Sequence, residues 1–362
     1  MTRALRRAAS ITLYGSAALL ITVGMPLLVP LAAAVDLGRG DRRWPTVRCL
    51  LFVAVYLLCE SLGILAAAGL WLRGGWQRGS PTAAAAPADG WLADAWTGRP
   101  AVYLAANFRL QRWWARTIFG AAQRLFSMRT AIDGDEAVRR GPFVLFVRHA
   151  SIGDTVLPAV FIGDRHGIML RYIMKRELLW DPCLDIVGNR LPNCFVRRGS
   201  GESAREITAV QRLMQQLGPR EAVLIYPEGT RFLPEKRDRV VARLAGAAPP
   251  RLLAMARSLR HVLPPRLGGA LGLLAANRGA DAVFCAHTGF EGAGSFRALL
   301  KGSLIDQTVR IRFWRVPFAQ IPIDETRRAE WLFEQWLQID AWIDAQRTAH
   351  QPARLQVSAA RA

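Results

Sequence analysis

His149 and Asp154 stand five residues apart, an imidazole and a carboxylate of the kind that together move a proton. A carboxylate beside a histidine fixes the ring and favours its charged form, as a general base requires. The spacing dictates where they must sit. On one continuous helix, positions five apart diverge by roughly 140°, so the two meet only if His149 ends a strand and Asp154 opens the helix after it. The flanking residues supply that frame. Phe143-Val144-Leu145-Phe146-Val147 is a β-branched and aromatic run that predicts a buried strand, and open α/β sheets bind ligands where such strands end. Ser151 followed by Asp154 is also a capping-box pattern, so a structural reading of the pair stays open beside the catalytic one.

Three more stretches carry groups suited to an anion. Tyr226-Pro227-Glu228-Gly229-Thr230-Arg231 follows the apolar run Ala222–Ile225 and offers a turn glycine, a hydroxyl and a guanidinium, which can bind phosphate bidentately. An ordinary turn with a surface ion pair is the alternative. Gly188 to Arg198 ends in the adjacent arginines Arg197 and Arg198, a pattern more often solvated than ligand-binding. Leu263-Pro264-Pro265-Arg266-Leu267-Gly268-Gly269 predicts a rigid loop. Cys285 and His287 share a face of a predicted strand, where a buried thiol beside a satisfied histidine outweighs a nucleophile. Ser151 lacks the G-x-S-x-G elbow. His166, His261 and His350 have no partner at useful spacing.

The elements that must position these groups follow from pattern. Strands are predicted near 143–147, 168–173, 222–226, 282–287 and 309–315, and helical segments after Ser151 and over 175–180, 202–217 and 251–263. That alternation predicts an α/β domain over 130–345 with a mixed, mostly parallel sheet flanked by helices. A last helix, Arg327–Ala345, puts Leu332, Trp336, Ile339 and Ile343 on one face, and 346–362 is expected to be a loose tail. Ahead of the domain, residues 11–34 and 49–72 are two apolar runs long enough to cross a bilayer, and 1–75 is read as a membrane-anchoring helical hairpin. The basic start also fits a signal peptide. Arginines at both ends of the hairpin leave its orientation unresolved, and a span or a re-entrant loop gives the same sidedness. Glu60, within the second run, is expected to face the partner helix or the interface. Residues 76–101 read as a Gly/Ala/Pro-rich linker. The amphipathic stretch 102–129 reads as an interfacial helix, with packing on the domain as the equal alternative.

Composition bounds the partners. The chain has 362 residues, 51% of them hydrophobic, and a formal charge of +20 carried almost wholly by arginine. The basic residues are spread through Trp-rich apolar sequence rather than blocked into tails, which favours lipid and phosphate ligands over nucleic acid. Five cysteines without C-x-x-C spacing imply reduced thiols, with no disulfide framework and no zinc site.

In this order the segments resemble the glycerolipid acyltransferase family. Its N-H-x-x-x-x-D motif matches Arg148 to Asp154, with Arg148 where asparagine is usual. Its second motif is approximated by Gly188 and Phe195–Arg198, its E-G-T-R is intact at Glu228–Arg231, and its Pro-containing loop fits Leu263–Arg266. The resemblance covers roughly 105–345. It implies that His149 takes the proton from a lysophospholipid hydroxyl, with 1-acylglycerol 3-phosphate the first choice, and that Asp154 orients His149. Arg197, Arg198 and Glu228, Gly229, Thr230 and Arg231 would hold the acceptor's phosphate. The loop Pro264, Pro265 and Arg266 would serve the acyl donor and the oxyanion. It further implies acyl-CoA or acyl carrier protein as co-substrate, no metal or other cofactor, and a cytoplasm-facing site on a membrane. The alternatives are a larger-headgroup lysophospholipid or glycerol 3-phosphate as acceptor, a non-catalytic lipid-binding member, and a lipid hydrolase using Ser151 or Cys285.

Overall fold

The computed structural model describes residues 2–75, 100–196 and 204–359. Almost all of the expected linker, together with Arg197 and Arg198, lies outside them. Seven strands form one sheet in the order β1-β7-β6-β2-β5-β3-β4: β1 Arg129–Asp133, β2 Phe143–Val147, β3 Met169–Lys175, β4 Cys194–Val196, β5 Glu221–Ile225, β6 Asp281–Thr288 and β7 Thr308–Val316. Neighbours run parallel except β6 and β7, which is the mixed, mostly parallel sheet expected. β2 is central between β5 and β6 and buried along its whole length. An uninterrupted apolar run is what a strand covered on both faces requires.

The two faces bury different helices. Phe143, Leu145 and Val147 pack with Phe119, Phe126 and Cys49, from the N-terminal helices. Val144 and Phe146 pack with Leu213, Leu273, Trp336, Ile339 and Ile343. The last helix therefore uses the face expected, and Phe284 stacks on Phe146 at 5.1 Å between them. That helix runs Glu325–Ala359, over residues expected to be loose. The apolar stripe stops near Ile343, but alanine, glutamine and arginine favour helix without burial. The segment 251–263 also differs: the helix ends at Ser258 and the chain extends toward Pro264 and Pro265, which disfavour helix before them. Gly268 and Gly269, read as loop, lie in the helix Leu267–Ala276.

The hairpin pairs α1 (Arg3–Gly38) with α2 (Pro45–Leu70), and both are long and apolar enough to cross a membrane. Buried Asp36, near the end of α1, accepts from the Thr46 and Val47 N–H groups at 3.0–3.1 Å, capping the first turn of α2 where Pro45 starts it. Both ends of the hairpin touch the rest of the protein. Arg6 meets the Asp185 carboxylate at 2.8 Å and Arg7 donates to the Asp185 carbonyl; at the other end Arg48 donates at 2.5 Å to the Leu125 carbonyl of the helix that precedes the domain, and Cys49 joins the core under the sheet. Glu60 faces the domain rather than its partner helix: it is buried and accepts from Trp114 Nε1 at 2.7 Å and the Cys183 N–H at 3.3 Å.

The amphipathic stretch forms α3, Ala101–Phe126. Its apolar side is occupied by protein, contrary to the interfacial reading. Phe119 meets Phe161 of the domain at 5.3 Å and Phe126 meets Phe52 of α2 at 5.7 Å, both edge to face. An aromatic stripe specifies burial but not what does the burying, so sequence alone left this open.

Candidate active site

His149 and Asp154 meet as the spacing requires. β2 ends at Val147, and two residues on, His149 sits in an irregular turn, with Asp154 in the short helical turn Gly153–Val156. His149 Nδ1 lies 3.0 Å from Asp154 Oδ1. Asp154 is fully buried, and its other oxygen accepts from the Ala150 and Ser151 N–H groups at 2.5 and 2.7 Å. Ser151 Oγ accepts from the Gly153 N–H at 3.0 Å. One carboxylate thus caps the turn and holds the imidazole, so the capping contacts and the His149–Asp154 contact occur together. With Asp154 accepting from Nδ1, the ring's lone pair is on Nε2, which has no hydrogen-bond partner among the described residues. The side chain is 13% exposed, and Tyr226 packs against the ring with centroids 4.9 Å apart.

Glu228 is placed differently from expectation. It is 2% exposed, and its oxygens accept from the His149 N–H at 2.8 Å and the Leu263 N–H at 2.9 Å. It therefore braces the strand-end turn against the Pro264 loop and is not aimed at a phosphate. Burial raises its carboxyl to about 8, against the lowering effect of those N–H groups and Arg148. A carboxyl raised on folding contributes stability that is complete below its unfolded value of 4.5 and lost as pH rises toward 8. Wild-type protein is expected to lose thermal stability across that window more steeply than Glu228→Gln, where nothing titrates at this position. Parallel profiles from melting scans against pH would contradict the assignment.

The loop Leu263–Arg266, expected to supply backbone donors to the oxyanion, has no backbone N–H to spare. The Leu263 N–H is taken by Glu228, Pro264 and Pro265 have no N–H, and the Arg266 N–H donates to the Pro227 carbonyl at 2.9 Å. Pro264 and Pro265 are buried. The loop serves instead to carry the Arg266 side chain over Gly229. That glycine has φ +66°, and a Cβ there would stand 2.9 Å from Arg266 Cδ, so the turn needs glycine on both counts. Beside it, Lys236 Nζ donates to Thr230 Oγ1 at 3.1 Å, and Arg231 donates to the Gly294 carbonyl at 3.3 Å. Arg231, Lys236 and Arg266 thus bring three cations to one turn. Lys236 and Arg266 place positive charge at the turn where Glu228, turned to the backbone, does not.

The structure adds a second layer that sequence reading missed. Arg148 is 1% exposed and donates to the His287 carbonyl, to Glu291 Oε1 at 2.6 Å and to the His261 carbonyl at 3.1 Å. Burial pushes the Glu291 carboxyl up, but the Arg148 guanidinium overrides it and holds it at about 2. His287, fully buried, has Nε2 3.0 Å from the Arg148 carbonyl and 3.6 Å from Asp154 Oδ2. Burial lowers its pKa and so favours the neutral ring, which leaves the Asp154 charge to His149. His261 is not partnerless either: its ring meets Asp344 at 2.9 Å, and His166 meets Asp135 at 3.0 Å. Cys285 is 1% exposed and burial raises its thiol, with Asp154 adding to the effect. Ser151 is fully buried.

Residues 129–268, which hold the pair and the Glu228–Arg231 turn, match the family model described as Acyltransferase. Over that stretch the chain is similar to the glycerolipid acyltransferases. It is 26% identical over 182 residues to 1-acyl-sn-glycerol-3-phosphate acyltransferase gamma from Homo sapiens and from Pongo abelii. Those alignments take in 49% of this chain and 46% of each relative, so the chain spans about half the length of the curated relatives it matches. Its fold is similar to the crystal structure of the 1-acyl-sn-glycerophosphate (LPA) acyltransferase PlsC from Thermotoga maritima, with a TM-score of 0.53 at 13% identity over 84% of this chain and 98% of that one.

Proposed function

We propose that this acyltransferase moves an acyl chain from acyl-CoA or acyl carrier protein to the free hydroxyl of a lysophospholipid, with 1-acyl-sn-glycerol 3-phosphate as acceptor and phosphatidic acid as product. The observation that carries the reading is an outward Nε2 on His149, held through Nδ1 by buried Asp154, in a site whose Glu228 brace leads into a turn with three cations. His149 takes the proton as the acceptor oxygen attacks the thioester carbonyl. The tetrahedral intermediate then expels the thiolate, which regains a proton from His149, and no acyl-enzyme forms. Arg231, Lys236, Arg266 and Thr230 hold the acceptor's phosphate, with Arg197 and Arg198 as further candidates from sequence. The mechanism needs neither a metal nor a redox cofactor. The test is purified enzyme given acyl-CoA and a panel of lyso-acceptors, with products read by mass. Preference for the phosphate-only headgroup supports the reading; equal or better use of choline or ethanolamine headgroups would overturn the acceptor assignment.

The same reading places the site on a membrane, facing the cytoplasm. The exposed leucines of α1 run from Leu5 to Leu37, a stripe of about 48 Å at helical rise against a hydrocarbon core of about 30 Å. Since both ends of the hairpin also touch the rest of the protein, the hairpin lies along one leaflet rather than across both. Cysteines introduced at Arg3 and Arg42 should both react with an impermeant maleimide from the domain side. Labelling of Arg42→Cys only from the opposite side would contradict a one-leaflet hairpin.

A further inference from the structure

Away from His149, the turn of the hairpin and the chain after β6 line a cavity of about 350 Å³, formed by Arg39, Asp41, Pro45, Arg297, Leu300 and Lys301. Its charge balance is one-sided. The single acid, Asp41, is already committed to Arg43, with contacts at 2.8 and 2.9 Å. Arg297, in the short helix Phe296–Leu299, and Lys301, in the turn after it, are exposed, line the same cavity and make no ion pair among the described residues. Like charges facing one cavity repel, and an anion between them relieves the repulsion. Arg39, across the cavity, has only a 3.4 Å contact to Thr46 Oγ1.

The surroundings select the kind of anion. Leu31 and Leu37 of α1 are 59% and 58% exposed on the way to the turn, and Phe296, next to Arg297, is 61% exposed. A cationic cavity at the end of an exposed apolar stripe matches a phospholipid, with phosphate in the cavity and chains along the helix. A soluble phosphate ester would gain nothing from that stripe. We infer that this cavity binds the headgroup of an anionic phospholipid from the host leaflet, as a site separate from the acceptor's. The inference rests on the reading that the hairpin lies in the bilayer. Basic side chains at a membrane surface gain from anionic headgroups in this way.

The test uses the full chain and vesicles of phosphatidylcholine with or without phosphatidylglycerol. Wild-type protein should prefer the anionic vesicles, and Arg297→Gln with Lys301→Gln should lose roughly twenty- to thirty-fold of that preference, as two cations beside a headgroup imply. Arg139→Gln with Arg165→Gln removes the same charge near Asp135, past the far end of β1, and should retain the preference. Binding to phosphatidylcholine vesicles and acyl transfer in neutral detergent should be unchanged in both pairs, which separates this site from the anchor and from the reaction. Equal loss in the two pairs would reduce the effect to net charge and overturn the site. So would displacement of the vesicle preference by soluble glycerol phosphate, which would mark a site for phosphate esters in solution.

Discussion

Replacing His149 with alanine is expected to lower acyl transfer by about 10³-fold or more, within the range for loss of a positioned general base, while leaving the fold intact. The side chain reaches solvent at one edge, and its one polar contact is with Asp154. Asp154 keeps the Ala150 and Ser151 N–H groups after the ring is gone, so the turn survives and the loss is chemical. Asp154→Asn separates the two roles of that carboxylate. One oxygen can still accept from the backbone, but the amide NH₂ then faces Nδ1 and favours the tautomer with the proton on Nε2, where a base cannot carry it. Activity should fall with little change in melting temperature. Full transfer by either variant, measured as phosphatidic acid formed per enzyme, would contradict the mechanism.

Arg148→Leu is expected to act the other way, on the fold first. It strips donors from two backbone carbonyls and the partner from Glu291. Each buried acceptor left unmade costs about 1–3 kcal/mol. Glu291 is about a third exposed and recovers water, so the sum should settle near about 3 kcal/mol, below the full cost of breaking a buried pair. For a domain of this size that lowers the melting temperature by about 6–12 °C. Glu291→Gln, which keeps an acceptor in place, should cost much less. Adding it to Arg148→Leu should recover little, since the carbonyls of His287 and His261 remain bare. An unchanged melting temperature for Arg148→Leu in detergent would show that the network is dispensable.

What sequence revealed of this molecule was local or periodic. β2, β5 and β6 were legible because apolar runs of strand length say what they are, and the final helix because its stripe is regular. β1 was not, since Arg129–Asp133 alternates exposed and half-buried residues without an apolar run. The His149–Asp154 pair was legible because its members sit within one turn of chain. The Arg148 network was not, because His287 and Glu291 lie 139 and 143 residues away and only the β2–β6 pairing brings them in. Arg148 departs from the asparagine usual in the family, and the structure explains what it does here by its three acceptors. Glu228 was misread because a carboxylate in a ligand-rich turn looks the same from sequence whether it faces the ligand or the backbone. The helix at Ala101–Phe126 shows the same limit for apolar faces.

The central claim is that His149 delivers the acceptor hydroxyl straight to the thioester. The measurement that meets it most directly is a turnover quenched in acid, with mass-labelled acyl-CoA and lysophosphatidic acid, reading product and intact protein together. The account predicts label in phosphatidic acid, none on the protein and none as free fatty acid, with turnover in His149→Ala lower by about 10³-fold. Labelled protein at Ser151 or Cys285, or wild-type turnover without His149, would contradict it.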